Sequence, residues 1–208
     1  MKLINSEGLF KIYNKVLSRW HRDEKKIKTL DYALGFLNKE KELFNKLISD
    51  IVISNCFLWH EEDKARAKSL SSSIIASIKH TIDGTNQYRA NKVEEIDKYI
   101  LDGLTKFNVK IHMKTPLNSE TPGAIVDRLS ILALKIYHMA EQTKRLDCPS
   151  EHIEKCKSKL NVLLEQKKDL SICFNELIND LLKGKKRLKM YYQFKMYNDP
   201  STNSWMKM

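Results

Sequence analysis

Four ionisable residues have types and spacings that could carry acid–base or metal chemistry. His60 and Asp63 are three residues apart and therefore share one face of a helix, with Glu62 beside them. An imidazole next to a carboxylate at this spacing can bind a divalent metal or act as an oriented general base. His138 lies in a second, very apolar segment. We take these four residues as catalytic candidates, although a charged helix end with ordinary surface ion pairs would have the same pattern.

Three basic residues could hold an anion. Arg89 falls in the middle of an apolar helical stripe, where it must either bridge to a carboxylate such as Glu62 or Asp83 or face a pocket that takes an anion. Arg128 and Lys135 are seven residues apart and share a face of the most apolar segment, so we expect their burial. Together with polar residues at neighbouring helical positions, they form a predicted ligand-binding set: Asn55, Asp83, Asn86, Arg89, Glu120, Asp127, Arg128, Lys135, Lys195 and Asn198.

The segment before that apolar helix holds the clearest start signal in the chain. Thr121 is a candidate N-cap, Pro122 occupies the first helical position, and Gly123 follows. The free amides of a helix start can bind an anion, and the preceding loop includes Glu120. We therefore predict a second point of anion contact here.

The C-terminal segment interleaves aromatic and polar residues. We expect it to pack back on the helices and to cover the cavity, until Asp199 and Pro200 release residues 200–208 as a flexible tail. The residues concerned are Gln193, Lys195, Tyr197, Asn198 and Asp199.

Helical periodicity recurs along the chain, and it predicts an all-α fold. Ser6 can cap a first helix, and a second helical region runs from about Thr29 to Ala67 with a break near Asn38. Ser71 can cap a third, reaching Phe107, and the last long helix opens at Ser150. Residues 1–208 should form a single domain, an antiparallel bundle of about five long helices around a central apolar helix at about 122–145.

Composition narrows the class of protein. Six Gly and four Pro in 208 residues disfavour an all-β fold, and the four cysteines, which form no CxxC pair, indicate reduced core thiols. No stretch approaches the roughly 18 apolar residues of a membrane span, and no signal-length apolar run begins the sequence, so we expect a cytoplasmic protein. The net charge of +11 is spread along every helix, which makes nucleic acid an unlikely partner.

Four segments resemble the uncharacterised bacterial family known as domain-of-unknown-function family 4254: 58–66, 83–89, 120–138 and 193–199. The stretch from Glu120 to Gly123 followed by Asp127 to Leu132 is the most specific part. The chain also resembles small helical proteins encoded near glycosyltransferases. The resemblance implies a link to envelope polysaccharide or lipopolysaccharide synthesis, without a defined reaction or catalytic residues.

These observations leave two hypotheses open. In the first, an enzyme or binding protein takes a small anionic ligand, a sugar phosphate or nucleotide sugar, on Arg89, Arg128 and Lys135, with acidic residues that could bind magnesium. In the second, a non-enzymatic adaptor of a glycosyltransferase, or a homodimer, uses its buried charges only to fix helix register. The two hypotheses differ in whether the polar side chains line an open pocket or pair with one another.

Overall fold

The computed structural model describes residues 5–192 and 201–204. Six α-helices follow one another: α1 Ser6–Asp23, α2 Leu30–Leu37, α3 Leu43–Ala65, α4 Ser72–Lys106, α5 Pro122–Gln142 and α6 Ser150–Leu182. A short 3₁₀ turn, Glu24–Lys26, follows α1. The all-α class is confirmed, and five of the six helices are long. None of these helices combines the length and apolar character that crossing a bilayer requires.

Contacts between helices define their relative directions. Tyr13 of α1 donates to the carbonyl of Val126 near the start of α5, and His21 lies against Tyr137 near its end, so α1 and α5 run parallel. α3 runs parallel to both, because its Asn55 contacts Asp127 near the start of α5 and its Trp59 stacks on His138 near the end of α5. α4 runs opposite to α3, since Lys79 contacts Glu62 while the later Arg89 contacts the earlier Asn55. α6 runs opposite to α1, since Asn175 bonds to Ser6 while the earlier Lys167 lies over Phe10. The C-terminal ends of α1, α3 and α5 consequently lie at the same end of the bundle.

The most completely buried helix is α3. Every residue from Leu47 to Leu58 is buried, so no side of the helix faces water along this stretch. α5 also contacts α1, α3, α4 and α6, as a helix in the middle of a bundle should. However, its Arg128 and Lys135 are exposed, so the expectation that both are buried is wrong. The apolar residues of α5 contact several neighbouring helices, whereas Arg128 and Lys135 lie on the side of α5 that faces solvent.

Local signals set most helix boundaries as predicted. The side chains of Thr29, Ser71 and Thr121 accept hydrogen bonds from amides of the first turns of α2, α4 and α5. At α1 the cap is Asn5, one residue before the predicted Ser6. Gly184 ends α6 at a φ of 67°, and the amide of Lys185 reaches back to the carbonyl of Asp180 at 2.8 Å, a Schellman ending.

Gly123 allows α5 to begin directly against α4. A Cβ at this position would collide with the backbone oxygen of Val93 and would lie 3.0 Å from the carboxylate of Asp97. That carboxylate, which is buried, accepts the Gly123 amide at 2.7 Å. The close approach therefore needs a residue without a side chain.

Replacing Gly123 by alanine should destabilise the protein by about 1–3 kcal/mol, because two backbones would have to separate. Gly84→Ala, in the interior of α4 with nothing within 4 Å of the added carbon, is the matched control and should be neutral or stabilising by up to about 1 kcal/mol. Urea unfolding of both variants measures the difference. Equal stabilities would show that the α4–α5 contact is looser than described.

Candidate functional site

Three histidines from three helices meet where α1, α3 and α5 end. His21 lies in the last turn of α1, His60 near the end of α3 and His138 near the end of α5. One ring nitrogen of each lies within 4.8 Å of those of the others. Within residues 5–192 and 201–204, no other group of three or more His, Cys, Asp or Glu side chains is arranged in a way that could hold a metal ion.

Each of these histidines has a partner for its Nδ1 atom. The Nδ1 of His21 lies 2.8 Å from the carbonyl oxygen of Leu17, that of His138 lies 3.0 Å from Glu141, and that of His60 lies 3.4 Å from Glu24. Carbonyl and carboxylate oxygens only accept, so the hydrogen bonds of His21 and His138 place the ring proton on Nδ1, and in His60 the negative charge of Glu24 favours a proton on the same atom. The Nε2 atom of every one of the three is buried without a hydrogen-bond partner.

Aromatic rings hold the three imidazoles in place. Trp20 stacks on His60, Tyr137 stacks on His21 and Trp59 stacks on His138, with ring centroids 5.6, 4.2 and 4.8 Å apart. Burial among these rings lowers the pKa of His60 and of His138, although the Glu24 carboxylate partly offsets the effect at His60 and Glu141 partly offsets it at His138. Both imidazoles are therefore neutral near pH 7.

A cleft of about 540 Å³ opens beside the histidines, between α3, α5 and α6. Asp63 lines it together with His60 and His138, so three of the four predicted catalytic residues share one site. The cleft's other lining residues combine two lysines with an amide and apolar side chains: Lys135, Lys159, Gln142, Trp59, Met139 and Leu163.

Neither Lys135 nor Lys159 forms an ion pair with a carboxylate in the described part of the chain. Both side chains are exposed, and they come from helices that face each other. Their charges are thus available to an incoming anion. Asp63 is exposed as well, and its charge favours the protonated forms of His60 and His138.

A second polar cluster lies deeper, between α3, α4 and α5. Arg89 donates to the side-chain oxygen of Asn55 at 2.7 Å, and the amide nitrogen of Asn55 donates to Asp127 and to Ser130, each at 2.7 Å. Arg89 also lies 3.8 Å from the Asp127 carboxylate. The predicted residues Asn55, Arg89 and Asp127 are therefore brought together, and they bond chiefly to one another.

Arg89 does bridge to a carboxylate, but the partner is Asp127 and not Glu62 or Asp83, the two examples that the sequence suggested. Glu62 instead contacts Lys79 and Arg66 at 3.3 and 3.2 Å. It is separated from the histidines, although it lines a neighbouring cleft of about 340 Å³ with Asn55 and Arg89.

Asp83 and Asn86 lie on α4. Asp83 is exposed and Asn86 is half-buried, and neither lines the clefts described here. Glu62, Asp63 and Asp83 do not gather into a group that could ligate magnesium within the described residues.

The start of α5 is already occupied by an internal anion. The Asp97 carboxylate accepts the amide of Gly123, and the Thr121 hydroxyl accepts that of Ala124 at 3.2 Å. Burial raises the pKa of Asp97 from 3.8 to about 6, an effect that the hydrogen bonds from Thr121 and Gly123 partly offset. The prediction that free amides here could hold an external anion is therefore wrong, because α4 supplies the carboxylate.

Two further predicted residues pair on the surface. Arg128 binds the carboxylate of Glu120 with contacts of 3.0 and 3.1 Å, and both side chains are about half exposed. They lie apart from the histidine cleft. The tail residues that were expected to cover the cavity, including Lys195 and Asn198, lie outside the described residues.

Sequence reasoning missed His21 and Lys159. His21 lies among charged residues near the end of α1, a pattern typical of a solvent-exposed helix end. However, the residue before it, Trp20, falls on the apolar stripe of α1 and is buried. The feature that could have identified His21 is its position at the end of α1, because helices that run parallel bring their C-terminal residues together. Lys159 is one of many lysines on α6, and nothing in the sequence distinguishes it.

The two predicted arginines should behave differently when removed. Arg89→Ala leaves the side-chain oxygen of Asn55 without its donor and removes the cation beside the Asp127 carboxylate, so we expect a loss of about 2 kcal/mol in the free energy of unfolding. Arg128→Ala removes an exposed ion pair and should change stability by less than about 1 kcal/mol. Urea unfolding compares the two variants. Similar losses in both would refute a structural role for the Arg89 cluster.

Comparison with known proteins places the chain in one family. The family model described as "Protein of unknown function (DUF4254)" matches residues 45–190, which include all of α3 except its first two residues and the whole of α4 to α6. His60, Asp63, Lys135, His138 and Lys159 lie within the match. No curated protein and no solved structure gave a match. Because the match covers more than half of the sequence, the chain belongs to the DUF4254 family.

Proposed function

We propose that the cleft between α3, α5 and α6 binds a small phosphorylated ligand. The observation that carries this proposal is the pair Lys135 and Lys159, two exposed lysines on facing helices without an ion pair to any described carboxylate. Two positive charges on one concave surface attract phosphate groups more strongly than either alone. A volume of about 540 Å³ falls within the range of small-molecule sites, about 300–1,000 Å³.

The walls of the cleft suit an organic group attached to the phosphate. Trp59, Met139 and Leu163 line it, and aromatic and aliphatic surfaces pack against sugar rings or nucleobases. A sugar phosphate or nucleotide sugar would satisfy both the lysines and this apolar wall. The choice of a sugar, and the link to envelope polysaccharide or lipopolysaccharide synthesis, come from the family resemblance given above.

The same cleft contains groups that could act on a bound ligand. His60 and His138 are neutral imidazoles, and Asp63 is a carboxylate beside them. A ligand held by Lys135 would lie next to all three. This arrangement supports a reaction at the phosphate or at the bond next to it, with Asp63 or a histidine handling the proton.

A non-enzymatic partner of a glycosyltransferase is the second candidate. The closed cluster of Arg89, Asn55 and Asp127 favours it, since these charges are used within the bundle and fix the register of α3 to α5. A homodimer stays a prediction. In this alternative the cleft has no need to bind a phosphorylated sugar.

Isothermal titration calorimetry of the full chain with a nucleoside diphosphate sugar, a sugar phosphate and the free sugar tests the proposal. We expect binding of the phosphorylated compounds alone, weakened about tenfold or more by Lys159→Ala, since a charged hydrogen bond contributes about 1.5–3 kcal/mol.

Lys155→Ala is the matched control, because Lys155 lies one turn away on α6, pairs with Glu151 and does not line the cleft. It should bind like the native protein. Binding of the free sugar to the same extent, or no binding of any phosphorylated compound, would favour the partner protein. Co-purification with a glycosyltransferase would then be the next experiment.

A further inference from the structure

We propose that His21, His60 and His138 form a binding site for a divalent transition-metal ion, with zinc as the best match. Their positions are 39 and 78 residues apart in sequence, yet the fold brings one ring nitrogen of each within 4.8 Å of the others. The inference is independent of which ligand the neighbouring cleft takes.

Oxygen atoms beside the three Nδ1 atoms favour the ring form that ligates metals: His21 and His138 have hydrogen bonds there, and His60 has the charge of Glu24. Leu17, Glu24 and Glu141 supply the oxygens next to the three Nδ1 atoms, which leaves the lone pair on each Nε2. Metal-binding histidines characteristically donate their other ring N–H to a carboxylate or a backbone carbonyl in this way. Two carboxylates and one carbonyl therefore act as the outer partners of the site.

The unpartnered Nε2 atoms have no role in stabilising the fold. A buried polar atom without a hydrogen bond reduces stability, and native proteins contain few of them. Six buried side-chain nitrogen or oxygen atoms in the described residues lack a partner, and three of these are the Nε2 atoms of this cluster. A metal ion would satisfy all three at once.

The surroundings favour a cation. α1, α3 and α5 present their C-terminal ends here, and the carbonyl dipoles at a helix C-terminus attract positive charge. Glu24, Glu141 and Asp63 add negative charge beside the rings.

The donor set identifies the class of metal. Imidazole nitrogen suits Zn²⁺, Ni²⁺, Cu²⁺ and Fe²⁺, whereas Mg²⁺ and Ca²⁺ take oxygen ligands. Three protein ligands leave a fourth position for water or substrate, as in catalytic zinc sites. Since His60 and His138 also line the cleft, that fourth position would face the space where the lysines lie.

Binding of the ion should draw the three imidazole rings together. With Zn–N bonds of about 2.0–2.1 Å, two nitrogens of a tetrahedral site lie about 3.3 Å apart, which is closer than the 4.8 Å limit seen here. Rotation of the imidazole side chains can supply this difference. Because the bound ion links α1, α3 and α5, it should stabilise the native state.

The test is titration of the full chain, freed of metal by a chelator, with Zn²⁺ in a calorimeter and with Co²⁺ in a visible spectrometer. We expect one equivalent of Zn²⁺, a rise in melting temperature, and the intense d–d bands of four-coordinate Co²⁺. His21→Gln, His60→Gln and His138→Gln should each weaken Zn²⁺ binding at least tenfold. Mg²⁺ should give neither heat nor stabilisation.

His80→Gln and His112→Gln are matched controls, because both histidines are exposed and lie outside the cluster. They should bind Zn²⁺ like the native chain, and so should Lys159→Ala, which separates this site from the phosphorylated-ligand proposal. Absence of four-coordinate Co²⁺ bands in the native protein would overturn the inference whether or not the variants fold. Unchanged Zn²⁺ affinity in all three cluster variants would also overturn it.

Discussion

From Leu47 to Leu58, α3 is buried on every side, and the neighbouring helices are arranged to cover it. A helix in this position cannot leave polar groups unpaired without a large energetic cost. Asp50 accepts a hydrogen bond from Asn38 at 2.6 Å, and Asn55 bonds to Arg89, Asp127 and Ser130. These bonds fix which residues of α4 and α5 lie opposite α3. Beyond Leu58 the helix is only partly buried, and its residues Trp59, His60 and Asp63 lie at the end of the bundle.

Two polar clusters along α3 therefore have opposite characters. In the cluster of Arg89, Asn55 and Asp127, donors and acceptors match one another, which is the pattern of a structural network. In the histidine cluster the Nδ1 atoms face carbonyl or carboxylate oxygens, while the Nε2 atoms have no partner. The first cluster stabilises the fold. The second leaves three buried nitrogen atoms unpaired, and this difference is the basis of the proposed metal site.

Much of this fold follows from local sequence signals, and the inter-helix pairing does not. Thr121 and Pro122 predicted the start of α5, and the spacing of His60 and Asp63 predicted their common cleft. The pairing of Arg89 with Asp127 depends on how α4 crosses α5, which periodicity on either helix leaves undetermined. The apolar sequence of α5 predicted that it is the central helix, yet α3, which contains Asp50 and Asn55, is more completely buried. Polar side chains count as surface markers in such reasoning, but paired ones can be buried.

The central claim is that three imidazoles keep their Nε2 lone pairs free and directed to a common point. Long-range ¹H–¹⁵N correlation spectra of the histidine rings in the metal-free protein test it directly, because they distinguish the two neutral tautomers. The account predicts that His21, His60 and His138 carry their proton on Nδ1, and that added Zn²⁺ shifts their Nε2 resonances while His80 stays unchanged. Protons on Nε2 in these rings would contradict it, and so would Nε2 resonances that do not shift when Zn²⁺ is added.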